Sequence, residues 1–418
     1  MSDAQSSHNL TPAEVRRNFS CLVWMGSVFA MGWAEVMVVL QPMLVHYGAS
    51  NTQIGIVQGV LIASLPGMIV SPWITRRFRY KKRYLFVTDS LYLLPIGVVG
   101  IVVWSGGLGS SQQMIGFIVL MFCASQIAAG FGGLPNQEFF SACIPMRLRG
   151  RLAGISAGLG GVLGIAATAL AAWILDAMPK PQAYGALLVM AWALCQLADS
   201  SVLIAREPPT PVEKSPKPWR GEMWRAFVGD RQFLRVACVI CLASPLLGQL
   251  AIFASVYGFR ELGFDPSMAA WLGMLAAGTR LVLSPLGGWA TDLWGARRAL
   301  PFWMGWVALG FFILAVFPGK ASVAISTALA AVAWSGFSGA MNALTSGIPK
   351  PEHRAGHFTL LGFAMIACNS LGPVLVGRMF DALSYPAGFA ILATLVSLLV
   401  AFAIYLLRDL SHRAEDYQ

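Results

Sequence analysis

The chain has 418 residues, 57% of them hydrophobic and 11% charged, with a net charge of +10 and a mean hydropathy of +0.66. Soluble domains carry about 25% charged residues, so the composition excludes an ordinary soluble protein and leaves little chain for any soluble domain. The basic residues cluster between apolar runs, where they set membrane orientation and do not point to nucleic acid.

A bilayer core takes about 20 mainly apolar residues per helix, and the apolar runs bounded by charge, glycine or proline predict twelve of them. Residues 1–17 are polar and end in Arg16 and Arg17. The run that follows is too long for a signal-peptide core, so the first span is retained. The first six spans are predicted at Phe19–His46, Gln53–Trp73, Tyr84–Trp104, Gln112–Ser141, Gly150–Ala177 and Gln182–Ile204. Residues 206–231 are rich in proline and charge and read as a linker, with a short surface helix near Trp219–Phe227. Six further spans follow at Phe233–Tyr257, Pro266–Trp289, Leu300–Phe317, Ser322–Thr345, Gly356–Met379 and Pro386–Leu407. The fold class is therefore an all-α integral membrane protein, with domains at 1–204 and 232–418 and a cytoplasmic linker at 205–231.

With Arg17 placed in the cytoplasm, the loops on its side hold 24 of the 29 Lys and Arg residues; only Lys180, Arg260, Lys320 and Arg378 fall outside them, and Arg280 lies inside a span. Positive charge is retained inside, so both termini are expected in the cytoplasm of a multi-pass protein. Short tails and a compact linker suggest a bacterial inner membrane. The seven cysteines lie almost all within apolar runs and imply no disulfide framework. Cys238 and Cys241 have CxxC spacing, but no histidine flanks them, and they read as small core hydrophobes rather than metal ligands.

The two halves repeat each other. Gly130-Phe131-x-Gly133-x-x-Asn136 in span 4 recurs as Gly336-Phe337-x-Gly339-x-x-Asn342 in span 10, each followed by Ile-Pro, at Ile144-Pro145 and Ile348-Pro349. After span 8, Gly288-x-x-x-Asp292-x-x-Gly295-x-Arg297-Arg298 matches Gly67-x-x-x-Ser71-x-x-Ile74-x-Arg76-Arg77 after span 2. Matching loop arginines in order and spacing point to duplication rather than shared low complexity.

Six plus six spans, a charged central linker and the motif from Gly288 to Arg298 resemble the major facilitator superfamily over essentially the whole chain. The resemblance implies two pseudo-symmetric six-helix bundles with a solute site between them at mid-membrane, opened alternately to each side. Helices 1, 4, 7 and 10 would line the cavity. The loop motif would gate the inner side through Asp292, Gly288, Gly295, Arg297 and Arg298, with Arg76, Arg77 and Arg149 as its counterparts in the first half. The first copy departs from the family pattern at Ser71 and Ile74, which shifts the expected latch to the second copy. Packing and topology alone are the plainer account of these loop charges.

A charge at mid-membrane costs at least about 2.5–3.5 kcal/mol, so it marks a cavity or a partner. Counting ~1.5 Å per residue from the span ends puts Glu35 and Arg280 near the middle of a ~30 Å core. Glu35 is a candidate for proton coupling, since burial favours the neutral acid and water the charged one. Arg280 offers a two-donor fork to an anionic solute. A permanent ion pair between them is the alternative. Asp89, Asp199 and Glu138 lie towards the cytoplasmic ends of their spans and are expected to pair with loop arginines, with a proton relay through Glu138 as a second reading.

Gln126, Gln249, Ser335, Ser338, Asn342 and Asn369 would supply polar contacts to solute, and Trp33 and Trp334 would stack on it or simply pack. The glycines of span 5 read as a close helix contact, not a phosphate loop. No catalytic set and no cofactor motif occurs, so no enzyme and no cofactor is expected. The sequence points to a monomeric secondary transporter of a small polar, anionic solute, coupled to protons. A multidrug or cation exporter, or a uniporter, is the main alternative, followed by a lipid flippase or a non-transporting sensor.

Overall fold

The computed structural model describes residues 10–75, 77–209, 221–349 and 354–408. Every regular element among them is helical: α1 (Pro12–His46), α2 (Asn51–Gly59), a 3-10 segment (Val60–Ser64), α3 (Leu65–Thr75), α4 (Lys82–Trp104), α5 (Ser111–Cys143), α6 (Met146–Ala177) and α7 (Gln182–Ile204). Then come α8 (Gly221–Gly229), α9 (Arg231–Leu247), α10 (Gln249–Glu261), α11 (Ser267–Trp294), α12 (Ala296–Val316), α13 (Lys320–Gly347), α14 (Arg354–Ala382) and α15 (Tyr385–Leu407). Twelve helical stretches are long and apolar enough to cross a membrane, and they fall on the twelve predicted spans. The predicted surface helix of the linker is α8, which begins and ends two residues later than expected.

Two spans are broken where continuous helices were expected, and both breaks have local causes. In the second span, Pro66 follows a 3-10 turn, and a Cβ on Gly59 would lie 2.4 Å from the Ser370 carbonyl oxygen, so the chain tightens where backbone meets backbone. In the seventh, Pro245 sits inside α9 and the helix restarts after Gly248. Proline clashes with the preceding turn, and the Gln249 side chain takes up the Pro245 carbonyl through Nε2 at 2.7 Å.

The chain forms two compact units. One comprises Met1–Met43, Val60–Pro216 and Pro266–Met274, the other Leu44–Gly59, Lys217–Asp265 and Leu275–Gln418. In the first, α4 packs on α7 and α5, and α3 on α5. A Cβ on Gly130 would sit 2.1 Å from the Ser64 carbonyl oxygen, so that position holds α5 against the second span. In the other unit α12 packs on α13 and α15, and α14 on α2 and α9. Gly336, the repeat partner of Gly130, is pressed against the Trp303 ring of α12. The repeated glycines are both tight contacts, made to different partners.

Candidate functional site

In the first unit the candidate site is a set of acidic and aromatic side chains on α1, α4 and α7. Glu35 is completely buried in α1, and neither carboxyl oxygen has a hydrogen-bond partner among the described residues. Gly32, one turn earlier, lets α1 approach α7 so closely that a Cβ there would lie 2.7 Å from the Cys195 sulfur. Glu35 and Asp199 both act electrostatically on that thiol. Trp33 is stacked between Phe29 and Tyr92, with ring centroids 6.2 and 6.1 Å away, and is half-buried. Gln126 is half-buried on α5.

Asp199 is 2% exposed, and its Oδ2 has no hydrogen-bond partner among the described residues. Asp89 on α4 is close enough to act on it electrostatically, and both act on the Tyr92 hydroxyl. The expected pairing of these aspartates with loop arginines does not occur among the described residues; Asp89 Oδ1 instead lies against Gly132 of α5, 3.0 Å from where a Cβ would sit. Glu138 is ion-paired, but with Lys81 and not with an arginine. Lysine wins by position, since Lys81 is the N-cap of α4 and Arg149 is turned back to the Ser141 and Ile144 carbonyls at the end of α5.

In the second unit the polar candidates form two groups. On α9, α10 and α14, Ser244 Oγ donates to Asn369 Oδ1 at 3.0 Å, and Gln249 is buried with Oε1 left without a partner among the described residues. On α11 and α13, the Ser284 and Ser335 hydroxyls share a hydrogen bond of 2.6 Å. Arg280 lies one turn from Ser284 and Trp334, Ser338 and Asn342 run along α13 at a spacing of four, so each set shares a helix face. Arg280 is exposed and has no ion-pair partner among the described residues. Trp334 is 41% exposed and stacks on Phe337 with centroids 6.2 Å apart.

Of the residues expected to gate, Gly295 is the N-cap of α12 with φ of 76°, a conformation that suits glycine. Arg297 donates from Nη1 to the Arg408 carbonyl at 3.1 Å, while Arg298 and Arg77 are exposed. Arg76, the side chain of Asp292 and the surroundings of Gly288 lie outside the described residues.

Sequence reading missed a clasp in the first unit, where the chain leaves α7 beside the start of α4. The buried Glu207 carboxylate accepts the Lys81 amide at 2.7 Å and the Lys82 amide at 2.9 Å, and meets the open N-terminus of α4. Burial pushes the Glu207 carboxyl up, against the opposing pull of those two amides and the two lysine charges. Asn18 of α1 holds the same strand of chain, donating to the Cys143 and Arg206 carbonyls and accepting the Arg206 amide at 2.7 Å. A glutamate placed directly after a span and before Pro208-Pro209 was the available signal.

Comparison with known proteins agrees with this architecture. Residues 248–416 match the sequence model of the Major Facilitator Superfamily, while no curated protein matches the chain in sequence. A bacterial homologue of the human lysosomal transporter Spinster, solved inward-facing and unoccupied, is 17% identical with a TM-score of 0.71, over 96% of this chain and 98% of its own. The nucleoside transporter NupG is 12% identical with a TM-score of 0.69, over 94% of this chain and 100% of its own. A POT family transporter solved with a thioalcohol-conjugated peptide is 11% identical with a TM-score of 0.66, over 95% of this chain and 96% of its own. At these identities the likeness is one of fold. The sequence match to the superfamily covers residues 248–416, and nearly the whole chain shares the fold of these solved transporters.

Proposed function

We propose that this protein is a secondary transporter that moves a small polar solute by alternating access, and that Glu35 couples the movement to protons. The observation that carries the reading is Glu35 itself, fully buried in a membrane span with both oxygens lacking a hydrogen-bond partner among the described residues. Keeping a carboxylate there costs several kcal/mol, and protonation or a bound cation removes the cost. Asp199 and Asp89 continue the acidic set in the same unit and supply further proton-binding positions.

Arg280, the Ser284–Ser335 pair and Trp334 support a solute with an anionic group and an apolar or ring-shaped body. The family's fold and the absence of a nucleotide-binding motif support an ion gradient as the energy source. The distribution of Lys and Arg supports cytoplasmic termini, in a bacterial inner membrane. The protein acts as a monomer, with the bilayer as its other partner.

The test is reconstitution into liposomes with an imposed pH gradient and a panel of organic anions, sugars and lipophilic cations. Accumulation of an anion that collapses with the gradient, and is lost in Glu35→Gln and Arg280→Gln, supports the reading. An unpartnered Glu35 also suits direct binding of a cation, as in a multidrug exporter. Efflux confined to lipophilic cations and indifferent to Arg280→Gln would establish that alternative and remove the first.

A further inference from the structure

A groove of about 630 Å³ runs between α12 and α15, away from every residue used above for solute or protons. Its α12 wall repeats every four residues, Arg297, Pro301, Gly305 and Leu309 on one ridge and Arg298, Phe302 and Trp306 on the next, which is how side chains align along one helix face. Its α15 wall is Val400, Ile404, Leu407 and Arg408. The helices run antiparallel, so all three arginines gather at one end and everything beyond them is apolar. Arg297 and Arg408 are held side by side there, through the hydrogen bond from Arg297 Nη1 to the Arg408 carbonyl. Phe302, Leu309 and Ile404 are exposed on helices apolar enough to span a membrane, which makes this a surface for lipid and not for water.

The dimensions match one leaflet. From Arg297 to Leu309 the helix rises roughly 18 Å at ~1.5 Å per residue, close to half of a ~30 Å core. The recess comes from Gly305, where a Cβ would have open space around it. We infer that this groove holds an anionic diacyl glycerophospholipid of the cytoplasmic leaflet, its phosphate against Arg297, Arg298 and Arg408 and one acyl chain along Phe302, Gly305 and Trp306. Guanidinium groups pair with phosphate in bidentate fashion, and basic clusters at the cytoplasmic ends of spans are where anionic headgroups bind. The charge gathered at one end selects an anionic lipid over a zwitterionic one, and the apolar length selects a lipid over a free phosphate. The assignment to the cytoplasmic leaflet follows the orientation proposed above; the choice of an anionic lipid does not depend on the transport reading.

The experiment is native mass spectrometry of the full chain, purified in mild detergent and exposed to equal amounts of phosphatidylglycerol and phosphatidylcholine with the same oleoyl chains. The expected result is at least fivefold greater retention of phosphatidylglycerol. Combined Arg297→Gln, Arg298→Gln and Arg408→Gln substitution should abolish the preference while leaving weak retention of both lipids. Gly305→Leu, whose Cβ enters open space and whose side chain occupies the recess, should reduce retention of both, so the proposal stays testable if the triple variant does not fold. Equal retention of the two lipids, or no change in either variant, would overturn it. So would displacement of the lipid by glycerol phosphate or inorganic phosphate, which would make this an anion site without a lipid. A dimer that Gly305→Leu dissociates would assign the groove to a second copy of the chain and equally refute it.

Discussion

Asp381 near the end of α14 caps the helix that begins at Asn51: its Oδ1 accepts the Asn51 amide at 2.8 Å, and its Oδ2 accepts the Thr52 amide at 2.8 Å and the Thr52 hydroxyl at 2.6 Å. Tyr385 donates to Asn51 Oδ1 at 2.8 Å, Arg260 donates to the Ala49 carbonyl, and a Cβ on Gly377 would lie 2.3 Å from the Asn51 carbonyl oxygen. A late helix of the chain thus finishes the hydrogen bonding of an early one at the end opposite the arginine-rich loops.

Asp381→Ala should loosen this latch. Losing a helix N-cap costs about 0.5–2 kcal/mol, a shift of roughly 2- to 30-fold in an equilibrium between latched and unlatched forms. The check is thiol labelling of a cysteine introduced by Ala49→Cys, which should accelerate by that factor. Unchanged labelling would show that the contact carries no gating energy.

Glu35→Gln keeps the size and hydrogen-bonding capacity of the side chain and removes its charge. Accumulation against a gradient should fall to the level of passive equilibration, whereas exchange of labelled for unlabelled solute should persist. Loss of both with unchanged thermal stability would instead mean that Glu35 binds solute directly.

On the proton-coupled reading proposed above, Asp199→Asn should slow solute movement about tenfold, equivalent to ~1.4 kcal/mol, and displace its pH profile while leaving solute affinity intact. Reduced thermal stability with an unaltered pH profile would make the aspartate a packing element.

Glu207→Ala leaves the Lys81 and Lys82 amides of α4 without their acceptor, at a cost of about 1–3 kcal/mol, visible as a lower Tm. The acid also has a pH signature. Because burial raises this carboxyl in the folded protein, the folded state holds its proton more tightly than the unfolded chain. Its contribution is therefore complete below the ordinary value of about 4.3 and is lost as pH rises through the higher folded-state value. Wild type should gain Tm relative to Glu207→Gln as pH falls towards 5, and a difference of the opposite sign would contradict the assignment.

Gly130→Ala forces a methyl group against the Ser64 carbonyl oxygen at 2.1 Å and should lower stability by roughly 1–3 kcal/mol. Gly133→Ala enters open space and should be neutral or stabilising by up to about 1 kcal/mol. Thermal melts of the two variants make the comparison, and equal effects would refute the packing account of the motif.

The spans were legible because hydropathy and length are one-dimensional properties, and the motif glycines and loop arginines announced the repeat. Glu35 stood out for the same reason: a lone carboxylate in an apolar run is visible without a structure. What the sequence hid is what depends on pairing between helices. Asp89 and Asp199 looked like neighbours of loop arginines by depth, yet Asp199 is buried and neither meets an arginine among the described residues. Gly130 and Gly336 align in sequence, yet meet the second span in one case and Trp303 in the other. The Asp381 cap joins residues 330 positions apart, and no local pattern marks an aspartate as the cap of a distant helix.

The same cap bears on how the protein can be dissected. Cutting the gene in the linker and expressing the second half alone would deliver α14 and α15 without residues 44–59, which belong to the same compact unit and carry the amides that Asp381 accepts. Such a fragment would expose a carboxylate, a tyrosine hydroxyl and the bare glycine surface of Gly377 to lipid. Complementation by separately made halves should therefore require the two pieces to meet during synthesis, and supplying residues 44–59 as a peptide should recover part of the fragment's stability.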